Sequence, residues 1–449
     1  MKILLLGQNG CAHALTWKLL NSTQIMEIVC VPGNGGTAPL AAQVDLEQQA
    51  VNAMVEWCFQ EQFEMIVPAQ STALVAGLAD QGLSLQVGVC GPPQRSTILE
   101  RSRCQAKDFM LRYRLPTAPG RACRDIATAE RFLATQSLPV ILKSDHPAGG
   151  ERIYDDRYAA LAGLRELFAE PGLEQQQGVV IESLLQGPRV VLSAFTDGRN
   201  VVPLLPTRLY DRVGDGDQGA QVTGTGAHTS NSAFSQQLTS FLERRFLMPI
   251  VQGMAQEQLP YWGILSIDCI ITQQGPQLTA IRCALHEGEA QVVLPRLNDD
   301  LLPWLLAMMA GRVNELPAPQ WSPLPTVGIG LLPKGYPVSY VYGSAIRGIE
   351  DLDEGVMLFH SNTAHPAAEL PYTPRRAPGS DLNKMLGGLL RMQGVRPATI
   401  LHTTPGLVMT VVTSGVTLAG ARGRALVNAE RIQFDGRSFR SDIGVKEFA

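Results

Sequence analysis

From residue 1 to about residue 100, short apolar runs alternate with helical segments, and this alternation restricts the chain more than any other feature. Residues 2–6 read as a short strand, Lys2 followed by four apolar residues and closed by Gly7, and 14–20 carry helical spacing. Residues 27–31 are a β-branched run closed by Pro32-Gly33-Asn34-Gly35-Gly36. A helix over 48–62, a buried strand over 64–67 and a last strand over 87–90 follow, leaving through Gly91-Pro92-Pro93. Fully apolar strands separated by helices form a parallel sheet covered on both faces. The expectation is a doubly wound α/β domain over residues 1–100.

Beyond it the pattern changes. A helix over 101–114 stops at Leu115-Pro116, and 138–143 and 178–185 read as strands, the first carrying Lys143 and the second Glu182. Two hairpins are expected, 190–195 with 201–205 around Asp197-Gly198, and 264–272 with 277–281 around Gln274-Gly275. Residues 213–226 read as a glycine-rich loop and 235–258 as one long helix. A proline-rich stretch, 316–325, marks a boundary. The rest is strand-rich, with an insert-like stretch at 365–398 holding a short helix near 382–392. The expected domains are 1–100, 101–325 with a small lid at roughly 120–190, and 326–449.

A chain of 449 residues exceeds a single core. A 45% hydrophobic, 17% charged composition is that of a globular protein. The formal charge of −4, with Lys and Arg spread along the chain, gives no nucleic-acid footprint. The 8 cysteines form no CxxC pair and read as free thiols of a reducing compartment. No apolar run reaches the ~18 residues of a membrane span. The apolar run after Lys2 is too short for a signal segment. The reading is a cytoplasmic protein that meets a small molecule or a partner enzyme, not nucleic acid or a membrane.

Gly7-Gln8-Asn9-Gly10-Cys11-Ala12-His13 lies between strand and helix. Small residues there either let backbone N–H groups approach a phosphate at the helix start or simply make a tight turn. Cys11 at the same place reads as a small buried residue rather than an activated thiolate. The 7 histidines show no ligand spacing, so no zinc site is expected.

Gly7 to Leu15 resembles the opening Gly-x-Gly-Gly-Arg-Glu-His-Ala-Leu of the glycinamide ribonucleotide synthetases. Pro32-Gly33-Asn34 with Gly36-Thr37, Lys107-Asp108-Phe109, Pro116-Thr117-Ala118, Gly335-Tyr336-Pro337, Phe359-His360 and Ser441-Asp442-Ile443-Gly444 follow in that family's order, as does Arg212-Val213-Gly214-Asp215-Gly216-Asp217. The resemblance covers nearly the whole chain. It implies a central ATP-grasp module with a small lid, and a β-rich C-terminal domain. It also implies a chemistry: ATP converts the carboxylate of glycine to an acyl phosphate, which the amine of phosphoribosylamine attacks. Two magnesium ions normally bridge the phosphates. By the same resemblance, Arg103, Lys143, Glu182 and Leu184 are the nucleotide-binding positions. Gly7, Gly10, Gly33, Asn34, Arg212 and Asp215 line a substrate-type pocket.

The chain departs from the family at charged positions. Glu151 and Arg152 stand where the lid has Lys and Gly, Pro147 enters the lid, and Pro188-Arg189 replaces a glutamate pair. A carboxylate beside a polyphosphate repels it. The strand motif Glu-Phe-Asn, whose oxygens hold magnesium in the family, reads Ala280-Ile281-Arg282, and the arginine implied to grip glycine is Ala284. Magnesium prefers oxygen ligands, so these exchanges predict no ordinary magnesium site and weak ATP binding. Asp268, Glu287 and Glu289 offer a relocated site; the favoured reading is that Arg282 pairs with such a carboxylate. On these exchanges the expected protein is a paralogue without ordinary ligase activity, with no catalytic or metal-binding residue assigned. It would serve as a binding, regulatory or partner-subunit protein. The alternative is an active carboxylate–amine ligase, either with altered substrates or making glycinamide ribonucleotide for purine biosynthesis.

Overall fold

A computed structural model describes residues 1–46, 50–146, 149–169, 178–365 and 400–447. The N-terminal sheet is five-stranded and all parallel where paired. Ala42–Gln43, Glu27–Pro32, Lys2–Gly7, Met65–Pro68 and Gly88–Val89 lie side by side in that order. Every residue of Ile3–Leu6 is buried, as a strand covered on both faces requires. The first helix, Gly10–Leu19, starts directly at the end of the first strand. Asn9 caps it, its Oδ1 accepting from the Ala12 N–H at 3.1 Å.

The lid is a four-stranded sheet, Gly120–Cys123, Val179–Ser183, Val140–Ser144 and Glu151–Tyr154, with two helices, Ile126–Thr135 and Arg157–Ala169. It has its own small core around Leu133, Leu142, Leu164 and Ile181.

The second large sheet holds ten strands. Its main path runs Gly275–Arg282, Gly263–Thr272, Arg189–Thr196, Thr207–Gly214, Gln218–Thr229, Thr326–Pro333, Met409–Ser414 and Met357–His360. The path continues across the proline-rich stretch, because Gln218–Thr229 pairs with Thr326–Pro333 from Gly226↔Ile329 to Thr229↔Thr326.

Three local expectations need correction. The glycine-rich stretch 213–226 is not a loop: it is the turn and outgoing strand of a long hairpin, paired Tyr210↔Gly226 and Arg212↔Gln221. Gly226 is glycine because a Cβ there would meet the Gly328 carbonyl at 2.8 Å and Ile443 at 2.9 Å, so close strand packing selects it. The helix expected over 235–258 is Ala233–Leu242 and Met248–Gln256 joined by a π-helical turn, Glu243–Leu247. Pro249 has no N–H to donate back into the preceding turn, and the wider turn absorbs that loss. The strand-rich C-terminal region contains a helix, Leu418–Arg431, packed on Thr326–Pro333 and Met409–Ser414 through Ala421, Ala425 and Ala429. The short helix near 382–392 and all of the 365–398 insert beyond residue 365 lie outside the described residues.

Candidate functional site

Two concavities lie near the singled-out residues, and Arg103, Lys143 and Glu182 line the larger. The larger, a cleft of about 620 Å³, lies between the lid sheet and the edge of the ten-stranded sheet. Its walls carry Arg103, Lys107, Lys143 and Arg282 against Glu100, Glu151 and Glu182.

Glu182 organises one end. Its Oε1 lies 2.7 Å from Lys107 Nζ and its Oε2 2.8 Å from Lys143 Nζ, all three side chains buried. Burial works against its charge, but the two ammoniums outweigh it and hold the carboxyl below its usual range. Lys107 also donates to the Thr117 hydroxyl at 3.2 Å and the Ala118 carbonyl at 2.5 Å. Sequence reasoning gave Lys107 no role. Its one signal was helical spacing: Arg103 and Lys107 are four apart on Arg103–Arg112 and share a face.

Arg103 spans from this helix to the lid, donating to the carbonyls of Ser144 at 3.2 Å and Gly150 at 2.6 Å and pairing with Glu151 at 3.3 Å. Glu151 is thus neutralised within the protein instead of standing bare against a ligand. Arg152 points to the lid's own surface and pairs with Glu166 at 3.0 Å. Leu184 is half-buried beyond the end of the Glu182 strand and does not line the cleft. Its N–H faces the Pro139 carbonyl at 3.4 Å.

At the other end, Asp268 lies across the ladder from Ala280. Its Oδ2 accepts from Arg189 at 2.5 Å and from Arg282 Nη2 at 3.2 Å. Burial disfavours the Asp268 charge, yet the guanidiniums hold its pKa far below the ordinary value. The expected pairing of Arg282 with a neighbouring carboxylate is therefore what the structure contains. These residues do not fit a magnesium ion in the family's manner: Ala280 and Arg282 present no oxygen, and Asp268 is taken by two cations. Nor do the acidic residues form a relocated site. Glu287 and Glu289 bond elsewhere, and no group of three or more His, Cys, Asp or Glu among the described residues could hold a metal.

The second cavity, with room for about one water molecule, lies where the first helix meets the large sheet, lined by Thr223, Gly224, Gly226, Glu287, Gln291 and Thr410 among others. Glu287 accepts from the Gly10 N–H at 2.8 Å and the Ser361 hydroxyl at 2.5 Å. Burial raises its pKa and these two bonds pull it back. Glu289 is buried deeper, holding the Ser193 N–H at 2.9 Å and hydroxyl at 2.7 Å; burial pushes its carboxyl up to about 7. Gln291 Nε2 is a buried donor with no partner among the described residues. Gly10 has no room for a side chain, since a Cβ would lie 1.8 Å from that nitrogen. Of the lining, sequence reasoning singled out only Glu287, and for a different role; the rest assembles from separate strands and helices and carries no local motif.

Asn34 sits beside this cavity as a clamp. Its Nδ2 donates to the Gln8 and His360 carbonyls, both at 2.8 Å, and its Oδ1 accepts from the N–H groups of Gly36 and Thr37. Gly33 turns the chain at φ +77° and donates to the Gly7 carbonyl at 3.1 Å. Gly7 meets Ala69 and Ala12 so closely that a Cβ would sit 2.9 and 3.1 Å from theirs. Arg212 and Asp215 are elsewhere, at the tip of the long hairpin. Arg212 donates to the Gly219 carbonyl, and Asp215 accepts from the Ser441 N–H and hydroxyl. They anchor the C-terminal segment and line neither cavity. Cys11 is fully buried and its thiol is pushed well up by burial, so it is a packing residue.

Three family models match the chain in order. The phosphoribosylglycinamide synthetase N domain matches residues 1–100, the ATP-grasp (A) domain 101–290 and the C domain 326–446. Among curated relatives, the phosphoribosylamine–glycine ligase of Phenylobacterium zucineum is 31% identical over 99% of both chains. That of Rhizobium meliloti is 28% identical over 100% of this chain and 99% of its own. The crystal structure of the Thermotoga maritima phosphoribosylamine–glycine ligase superposes with a TM-score of 0.77 at 23% identity, covering 98% of this chain and 100% of that one. A biotin carboxylase domain from Hydrogenobacter thermophilus, solved with MgADP, ADP and bicarbonate, gives a TM-score of 0.67 at 15% identity, covering 98% and 91%.

Proposed function

Because the chain belongs to the phosphoribosylglycinamide synthetase family, we propose that it is an ATP-dependent carboxylate–amine ligase of the phosphoribosylamine–glycine type, serving purine biosynthesis. The observation that carries this reading is the cationic cleft between lid and large sheet, lined by Arg103, Lys107, Lys143 and Arg282. The expectation of a paralogue without ligase activity rested on residue exchanges alone. The full-length matches to proteins named as ligases favour the alternative that accompanied it.

In this reading the nucleotide lies in the larger cleft with its polyphosphate against Lys143, Arg103 and Arg282. A substrate carboxylate oxygen attacks the terminal phosphorus, the bond to the bridging oxygen breaks, and ADP leaves. The amine then attacks the acyl carbon, loses a proton, and inorganic phosphate departs. No step is assigned to a metal ion.

The test is phosphate release from ATP by the purified chain with phosphoribosylamine and glycine. Turnover that stops when either substrate is omitted is expected. Nucleotide binding without turnover would favour a second reading, a nucleotide-binding paralogue that does not ligate. The particular observation on its side is the Asp268–Arg282 pair beside Ala280, where the resemblance implies magnesium ligands.

A further inference from the structure

The large cleft carries a fixed guanidinium where the resemblance implies oxygen ligands for a divalent cation. Arg282 ends the edge strand Gly275–Arg282, with 38% of its side chain exposed, on the same cleft wall as Ala280. Its Nε and Nη2 donate to Asp268 Oδ2 at 3.3 and 3.2 Å; its Nη1 bonds to none of the described residues. Asp268 cannot be drawn away to serve a metal. The same oxygen is held by Arg189, which is itself braced by Asp211 at 3.2 Å, and the side chain is 3% exposed. A divalent cation brought to Ala280 would meet the Arg282 charge and no side-chain oxygen of that strand face, and the one Asp268 oxygen without a partner among the described residues is buried beneath two guanidiniums, whereas a phosphate oxygen would meet a planar N–H donor. Lys143 and Lys107 share a single carboxylate, Glu182, and so also leave positive charge at the far end of the cleft.

We propose that the Arg282 guanidinium is the resident cation of this cleft, and that it receives nucleoside polyphosphate in its magnesium-free form. The inference rests on the reading that nucleotide occupies the cleft. Arg282 replaces the charge that a metal would bring but not its exchangeable water, so added magnesium withdraws the ligand into a less anionic complex and weakens binding.

Titration calorimetry of the full chain with ATP and with ADP, in EDTA and in excess magnesium, decides it. Affinity in EDTA equal to or above that in magnesium is expected. Arg282→Met, which keeps the bulk and leaves Asp268 paired with Arg189, should lower the EDTA affinity by roughly tenfold or more, the worth of a charge-assisted hydrogen bond. The pair Ala280→Glu with Arg282→Asn restores two oxygen ligands on one strand face and should turn magnesium from a weakener into a strengthener. Circular dichroism of each variant checks the fold. Binding that requires magnesium in the natural chain, or an EDTA affinity unmoved by Arg282→Met, overturns the proposal while leaving the nucleotide cleft standing. No binding in either buffer overturns both.

Discussion

The joint around Gly10 and the cleft around Glu182 are built from opposite materials. The joint holds no ion pair among the described residues, and its buried carboxyl, Glu287, bonds to the Gly10 N–H and the Ser361 hydroxyl. Asn34 ties the first turn to the His360 carbonyl, the His360 N–H donates to His13 Nδ1 at 2.9 Å, and the Gly35 N–H donates to the Thr363 carbonyl at 2.8 Å. Burial keeps the two imbalance-prone imidazoles neutral, lowering His13 to about 4 and His360 to about 3. The cleft is made of full charges that satisfy one another. The joint keeps Gly7, Gly10, His13 and the Pro32-Gly33-Asn34 turn through which the chain resembles its family, with Cys11 and Ala12 exchanged; the cleft is where exchanges bring in new charges. In a frame of backbone-to-side-chain bonds the bonding positions resist exchange, because each lost partner leaves a buried polar group bare. A set of ion pairs can be rebuilt by exchanging both members, as Glu151 with Arg103 and Arg282 with Asp268 illustrate.

The sharpest way to break this contrast is Glu182→Ala. It leaves two buried ammoniums with no counter-charge, and loss of one partner of a buried pair costs about 3–5 kcal/mol. Denaturant unfolding should show a loss of that order, partly recovered by ATP; an unchanged midpoint would mean that the lysines are not held by Glu182. In the joint, Gly10→Ala forces a methyl against Gln291 Nε2 and the Ser361 hydroxyl, and overpacking of this kind costs about 1–3 kcal/mol. A drop in melting temperature without change in secondary structure is the expected reading.

The joint also predicts a pH response. Unfolded histidine takes a proton near 6.5, whereas buried His13, His228, His286 and His360 do so only near 3–4. Between those values the unfolded chain binds more protons, so stability falls as pH drops below about 6.5. Each histidine contributes at most about 1.4 kcal/mol per pH unit. Glu289, raised to about 7, works the other way from its ordinary 4.5 upward, but four groups outweigh it and Glu287. Melting temperature should therefore decline from pH 7 to pH 5; a rise would show that the carboxyls dominate. The smallest effect is at the hairpin tip. Asp215→Ala removes exposed bonds to Ser441 and should cost no more than about 1 kcal/mol in the same melt.

The contrast also explains what the sequence disclosed. Elements with a clean period stood out: the strands Lys2–Gly7, Glu27–Pro32 and Met65–Pro68, and the hairpin from Gly263 to Arg282. The helix Leu418–Arg431 did not, because its buried stripe is three alanines and Asn428, with glycines and arginines between them, leaving little apolar rhythm to read. The strand Gln218–Thr229 was hidden by its glycines, of which Gly226 serves close strand contact rather than a turn. In the cleft, Arg103, Lys143, Glu182 and the fate of Arg282 were legible from motif order. Lys107 as the second partner of Glu182, and the meeting of Gly10, Glu287 and Gln291, were not, since each joins segments far apart in the chain.

The large sheet carries one more implication. Its hydrogen-bonded ladder runs without a break from Gly275–Arg282 to Met357–His360, so the last third of the chain completes a shared lattice and is not a passenger on a tether. Severing the polypeptide at 316–325 would strip Gln218–Thr229 of its neighbour and bare a raw edge on each fragment. Such halves should precipitate when produced separately and dissolve when produced together.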